Sequence, residues 1–225
     1  MKNVLNTVLL VILTAPLCHG QIKKNVGEFT KIKTFDRITV TLVPSNEERV
    51  EFNGSRSTDA EVINKNGELK IRMRTGKLLD GESIDAKVYF RQLTDIDANE
   101  GSFIGCDKPF KQEFIYASAQ EGAEVKITAD TQQTRIRAAT GGKIKVSGTT
   151  KDLDVKLGAG GILEAKNLKS VASAVDVKAG GEAQVRASES VDAHVTAGGK
   201  ILIYGNPKRV ERKTTLGGKI EEIRE

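Results

Sequence analysis

Tryptophan is absent from this 225-residue chain, the aromatic residues together make up 4% of it, and it carries only 4 prolines, 2 cysteines and 2 histidines. Binding to nucleic acid calls for a coherent basic stripe interleaved with aromatic stacking platforms. The chain offers neither. Its formal net charge is +5, and its densest basic run, Lys208-Arg209-Val210-Glu211-Arg212-Lys213, is broken by an acid and follows Pro207, as a solvated loop does. Long apolar runs are equally scarce. The one present, Val4 to Leu13, follows Lys2 and Asn3 and leads into Ala15-Pro16-Leu17-Cys18-His19-Gly20. It is well short of the ~20 apolar residues of a membrane span and has the layout of a cleaved secretory signal. Residues 1–20 are therefore expected to be a signal peptide, with the exported chain starting near Gln21. Leu17 is not the small residue that a lipoprotein cleavage site prefers before Cys18. Without Lys2 the net charge is +4.

Removal of that segment takes Cys18 and His19 with it and leaves Cys106 and His194 as the sole representatives of their kinds. An intrachain disulfide, a zinc site built from several cysteines or histidines, and a histidine-based nucleophile relay all lack the necessary partners. No catalytic residue, metal ligand or cofactor is expected.

What the chain does have is glycine at a fixed step. Gly101, Gly122, Gly141, Gly160, Gly180, Gly198 and Gly217 are separated by 21, 19, 19, 20, 18 and 19 residues, and from Gly141 onward each is the first of a doublet. The first two steps are Gly101-Ser102 and Gly122-Ala123. A period near ~20 residues marks stacked, near-identical units. Three and five residues before each step up to Gly198 the chain is apolar, as at Ala138 and Ile136 or Val177 and Val175. The same holds three and five residues after it, as at Ile144 and Val146 or Ile201 and Ile203. Polar residues fill the positions between. Alternation of period two is a strand buried on one face, and a glycine step between two such strands supplies positive φ or close backbone approach at a corner. The predicted fold is all-β: a parallel β-helix-like solenoid with coils of about 19–20 residues, each a strand, a glycine corner, a second strand and a return loop. Cys106 falls in an inward column beside Ile127 and Val146 and reads as a small buried hydrophobe.

Residues 21–90 lack the glycine step. Ile38, Val40 and Leu42 alternate with Thr39 and Thr41, Val50 and Phe52 flank Glu51, and Leu69, Ile71 and Met73 alternate with Lys70 and Arg72. Asn66-Gly67 has the composition of a tight turn between Val62-Ile63 and Leu69-Ile71. Thr75 to Ser83 reads as a surface loop ahead of a strand at Ala86 to Phe90. The segment forms either the first, irregular coils of the solenoid or a β cap on its open end, within a single domain of residues 21–225. Residues 91–225 form the regular coils.

Phe35-Asp36-Arg37-Ile38, the glycine-rich coils, Tyr204-Gly205-Asn206-Pro207 and the closing Leu216-Gly217-Gly218-Lys219-Ile220 together make the chain resemble the head GIN domain family of auto-transporter adhesins, over nearly all of the exported length. The resemblance implies an all-β solenoid in secreted or surface-associated bacterial proteins, with no catalytic residues to carry over.

The outward columns supply charged side chains in register: Arg135 and Arg137 on one coil, Asp154 and Lys156 on the next, then Asp176, then Asp192 and His194. Asp95 and Asp97 form another outward pair. Carboxylates beside basic groups on an outer strand face are what β-helical polysaccharide lyases and hydrolases use. The outward face of a soluble solenoid is charged in any case, and Arg135 beside Asp154 and Lys156 beside Asp176 also fit simple cross-strand ion pairs. The expected function is non-catalytic: an adhesion-like module in the periplasm, at the outer membrane surface or outside the cell, binding a glycan or an envelope protein through those residues. The alternatives are a polysaccharide-degrading enzyme and a structural envelope component that assembles through its final coil, where Arg212 takes an inward position.

Overall fold

The computed structural model describes residues 22–224; the expected signal segment and cleavage position lie outside the described residues. Seventeen strands share one continuous hydrogen-bonded sheet wound into about seven turns, with an irregular N-terminal part. In chain order the N-terminal part contains β1 (Ile22–Asn25), β2 (Lys31–Thr34), β3 (Thr39–Pro44), β4 (Arg49–Asn53), β5 (Ala60–Lys65), β6 (Glu68–Met73) and β7 (Asp85–Phe90). The regular coils follow as β8 (Asp95–Ala98), β9 (Phe103–Cys106), β10 (Phe110–Ala119), β11 (Glu124–Ala138), β12 (Lys143–Leu157), β13 (Ile162–Lys178), β14 (Glu182–Thr196), β15 (Lys200–Tyr204), β16 (Arg209–Thr215) and β17 (Lys219–Glu222).

The expected inward columns are ladders in the parallel register. Ile104, Val125, Ile144, Leu163, Ala183, Ile201 and Ile220 are successive cross-strand neighbours. Ile96, Ala117, Ile136, Val155, Val175 and Ala193 are another such set. From Ile104 to Ile201 and from Ile96 to Ala193 these side chains are buried. Burying each Val, Leu or Ile contributes roughly 1.5–3 kcal/mol, so aliphatic ladders supply a core where aromatics are few.

Each glycine doublet divides two tasks between its members. At Thr140-Gly141-Gly142, Thr140 and Gly141 both have positive φ, 51° and 74°, and the Gly142 N–H donates to the Ala139 carbonyl at 2.8 Å. Two consecutive positive φ values closed by such a bond are the signature of a type I′ turn. A Cβ on Gly141 would meet nothing within 4 Å, whereas one on Gly142 would lie 2.1 Å from the Ala119 carbonyl oxygen of the preceding coil. The first glycine turns the chain and the second lets the coils stack.

In β11 to β14 the other end of the coil is a bend within a continuous strand, where a return loop was expected. In β11 the alternation slips at Gln132 and Gln133, both exposed, while Thr131 and Thr134 are buried on either side. Their hydroxyls bond each other at 2.8 Å and reach Thr150 of the next coil at 3.0 and 3.2 Å. Ser170 and Ser173 repeat the arrangement at 2.8 Å. Hydroxyl-to-hydroxyl bonding satisfies these groups inside the bend, and parallel pairing runs on past it.

The irregular N-terminal segment contains two coils and three antiparallel-paired strands. β2 and β3 form a coil whose corner is Asp36-Arg37, with φ 59° and 62° and no glycine. β6 and β7 form the next coil in sequence, yet it stacks on the far side of the first: β2 lies between β6 and β8, and β3 between β7 and β9. The second coil folds back over the first before the chain crosses to the third. β5 pairs antiparallel with β6 through the Asn66-Gly67 turn, β4 pairs antiparallel with β7, and β1 with β4. These antiparallel strands cover the edge that a bare solenoid would leave open. At the opposite end, Arg212 and Glu222 occupy positions in register with the inward Ala193 and Ile203. They form an ion pair with each other. Charges turned toward the core are an established way to stop further strand stacking.

Candidate functional site

Two outward faces meet at the glycine corners. The face formed by β8, β10 and the C-terminal halves of β11 to β14 carries all seven expected residues in two columns. Arg135, Asp154, Ala174 and Asp192 are register neighbours in one, and Arg137, Lys156, Asp176 and His194 in the other. Arg135 Nε is 3.3 Å from Asp154 Oδ2, as the sequence suggests, and its guanidinium stands 5.6 Å from the centre of the Phe114 ring. Asp176 pairs with Lys178 of its own strand at 3.3 Å, in place of the expected Lys156. His194 Nε2 is 3.1 Å from Asp192. Asp154 and Asp192 line one shallow depression of about 350 Å³. Asp176 lines another, of about 300 Å³, with Arg137, Lys156 and Lys178. The carboxylates do not converge. Among the described residues no group of three or more His, Cys, Asp or Glu side chains is disposed to hold a metal ion.

The other face, formed by β9 and the N-terminal halves of β11 to β14, carries the larger recess. It is a groove of about 560 Å³ reaching from Cys106 and Asp107 on one coil to Gln184 four coils on. Its walls are Lys126, Thr128, Lys145, Ser147, Glu164 and Asn167. A β-bulge shapes it. Lys145 pairs with Glu164 but Ser147 with Asn167, so Ala165 and Lys166 together oppose Val146. A bulge bends the strand and re-aims side chains, and here Lys166 and Asn167 are both exposed. Gly148, with φ 106°, turns the neighbouring strand; its Cβ would lie 2.1 Å from the Ala129 carbonyl oxygen. Along the groove, Thr128 and Ser147 hydroxyls bond at 3.1 Å, Lys145 pairs with Glu124 at 2.8 Å and Glu164 with Lys143 at 2.5 Å. Hydrogen bonding to Glu124, then its charge, holds the Lys145 ammonium above its ordinary pKa. The result is a strip of hydroxyl, amide and ammonium groups, one row per coil, at the ~4.8 Å spacing of strands.

None of the groove-lining residues is among the seven read from the sequence. The available signal was the 20-residue step between Gly160 and Gly180, one longer than the 19 that precede it, together with the adjacent polar pair Lys166-Asn167. In β13 the extra residue emerges as a bulge.

Residues 28–207 match the family model described as "Putative auto-transporter adhesin, head GIN domain". The chain belongs to the head GIN domain family. No curated protein matches it in sequence. In fold, this GIN domain is similar to a putative adhesin from Bacteroides fragilis NCTC 9343, with a TM-score of 0.83 at 19% identity over 90% of this chain and 96% of that one. A putative adhesin from Parabacteroides merdae ATCC 43184 gives a TM-score of 0.70 at 14% identity, over 91% and 96% of the two chains. A putative lipid binding protein from Parabacteroides distasonis ATCC 8503 gives 0.68 at 14% identity, with the same coverage. No helix among the described residues of the GIN domain is long and apolar enough to cross a membrane.

Cys106 and Asp97 are among the titratable groups of the GIN domain held away from their ordinary behaviour. Cys106 is buried beneath the groove, with its Sγ 3.2 Å from the Lys108 carbonyl oxygen. Burial pushes its thiol pKa up, with Asp107 adding to the shift. Since the thiolate is the nucleophile, the folded protein is expected to resist iodoacetamide at neutral pH while the urea-unfolded chain is alkylated promptly. Comparable labelling of the two forms, read by mass, would show that Cys106 is accessible and ionised.

Asp97 stands on the other face between Lys33, 3.9 Å away, and Ser118. Its Oδ1 is buried without a hydrogen-bond partner. Burial raises its pKa, against the opposing pull of the Ser118 hydroxyl and the Lys33 charge. A carboxyl whose pKa is higher folded than unfolded favours the fold below the unfolded value. That contribution is lost as pH rises through the folded one. Asp97→Asn is therefore expected to gain stability relative to the parent as pH rises from about 3.9, the ordinary aspartate value, toward neutrality. Urea midpoints of both proteins across that range check this, and a difference independent of pH would refute it.

Proposed function

We propose that this GIN domain is an exported, non-catalytic recognition module that binds an extended glycan in the groove of its second face. The observation that carries the reading is the groove's layout. Five successive coils contribute to one open strip of hydroxyl, amide and ammonium groups, repeated at strand spacing, beside the Asp107 and Glu164 carboxylates. A repeating strip suits a repeating ligand, because each coil adds a weak contact and the contacts act together. The exported location rests on the N-terminal signal and on the adhesin description of the family. The lipid-binding description of one structural neighbour makes an acyl ligand a distinct outcome, whereas Lys126, Lys145 and Asn167, which line the groove beside Ile127 and Val146, favour the glycan.

The test is a glycan array together with bacterial envelope fractions, probed with the purified chain and with Lys126→Glu. Lys126 is exposed, so its replacement leaves the core intact. Binding by the parent to a set of linear glycans, lost in the variant, is the expected result. Absence of binding to both arrays and envelope fractions, or binding indifferent to Lys126, would remove the proposal.

A further inference from the structure

Like charges directly opposite one another on neighbouring strands are destabilising, and the solenoid neutralises most of those it contains. Lys33 and Lys70 are register neighbours and share Glu68, at 3.2 and 3.3 Å. Lys126 lies beside Lys145, which Glu124 holds. Lys200 and Lys219 are both paired with Glu221. Arg137 and Lys156 break the pattern. They are direct neighbours on β11 and β12, both are exposed, and neither has a carboxylate within ion-pair distance among the described residues. The neighbouring acids are engaged elsewhere, Asp154 by Arg135 and Asp176 by Lys178. The two cations face the depression of about 300 Å³, whose remaining lining is the corner backbone of Ala138, Ala139 and Gly158 together with Leu157, Asp176 and Lys178.

We propose that Arg137 and Lys156 form an oxyanion site for a single carboxylate or sulfate carried on a saccharide chain. A planar guanidinium presents two parallel N–H donors to such a group and the neighbouring ammonium supplies a point charge. The surroundings select for an isolated anion. Along the same column, Ser118 and Asp97 lie to one side, and Asp176 to the other, so a run of closely spaced anions would meet carboxylates on both flanks. A membrane surface is disfavoured because none of the exposed large apolar side chains, Ile63, Leu78, Leu79, Val171 and Leu216, lines this depression. The site lies on the opposite side of the glycine corner from the groove and stands or falls independently of the glycan reading given to it.

The test is NMR titration of the purified chain with D-glucuronate, inorganic sulfate, D-glucose and anionic phospholipid vesicles, repeated with Arg137→Gln/Lys156→Gln. Both substitutions are on exposed side chains, and unchanged backbone spectra elsewhere verify the fold. Glucuronate and sulfate are expected to shift resonances around Arg137 and Lys156, glucose is not, and the double variant binds at least about tenfold more weakly. Equal response to glucose, undiminished binding by the double variant, or shifts confined to the groove would overturn the proposal. Retention on vesicles without a glucuronate response would overturn it in favour of a lipid headgroup.

Discussion

Gly161→Ala is expected to destabilise the protein by about 3 kcal/mol, the upper part of the range for forcing an extra methyl into a packed site. A Cβ at Gly161 would stand 2.2 Å from the Ala138 carbonyl oxygen and 2.6 Å from its carbon. Both are backbone atoms of the preceding coil, so no side chain can swing aside. Relief requires the two corners to separate, which strains the Gly158 N–H bond to Ala138 at 2.9 Å and that of Ile162 to Gly142 at 2.9 Å. For a chain of this length the loss corresponds to a Tm about 6–12 °C lower. Gly160→Ala supplies the contrast. Gly160 has φ 72° but open space around its Cβ position, so alanine there meets only the left-handed backbone cost of about 1–2 kcal/mol. The preceding Ala159 already adopts φ 45°. Thermal unfolding of the two variants should rank Gly161→Ala well below Gly160→Ala. The reverse order would show that the doublet's division of labour is misassigned.

Asp36→Ala is expected to cost about 3–5 kcal/mol, through two lost acceptors and a strained backbone. Asp36 is 1% exposed. Its carboxylate accepts the Met73 N–H at 2.9 Å and the Leu79 N–H at 2.8 Å, and its own carbonyl accepts the Gly81 N–H at 3.0 Å. The glycine-free corner of the first coil is thus tied to the loop of the coil that folds back over it. Alanine leaves the Met73 and Leu79 donors without their partner and puts a methyl side chain at φ 59°. Asp36→Asn keeps one acceptor and tolerates the left-handed region, so it should lose about half as much. Urea denaturation gives the magnitudes. Limited proteolysis gives the location, since cleavage between Thr75 and Ser83 should appear first. A loss below about 0.5 kcal/mol, the level of an ordinary surface substitution, would refute the role assigned to this carboxylate.

The regular coils are legible in the sequence because identical physics recurs at each step. Period-two alternation sets the inward columns, the glycine step sets the register, and the structure places Ile136 beside Val155 and Ile144 beside Leu163. Arg135 with Asp154 follows from the same register. Finer features are hidden for identifiable reasons. Both members of a doublet carry the same letter, so turning and stacking cannot be told apart before the neighbouring carbonyl is located. The fold-back of β6 and β7 interrupts the repeat: coils adjacent in space are not adjacent in sequence, and the first corner uses Asp36-Arg37 in place of glycine. Lys156 and Asp176 are neighbours as the register demands, yet Lys178 two residues along competes for the same carboxylate, and register alone does not decide between them. The groove escapes because it arises from one extra residue in β13 and not from any motif.

Passive recognition is the claim on which the functional account rests, and one experiment addresses both halves of it. The strongest glycan from the array is titrated against the parent and Lys126→Glu while its chain length is followed by mass spectrometry. Saturable binding that is lost in the variant, with the glycan recovered at its original length, is the result expected of a recognition module. Shortened chains, or binding that survives charge reversal at Lys126, would contradict the account.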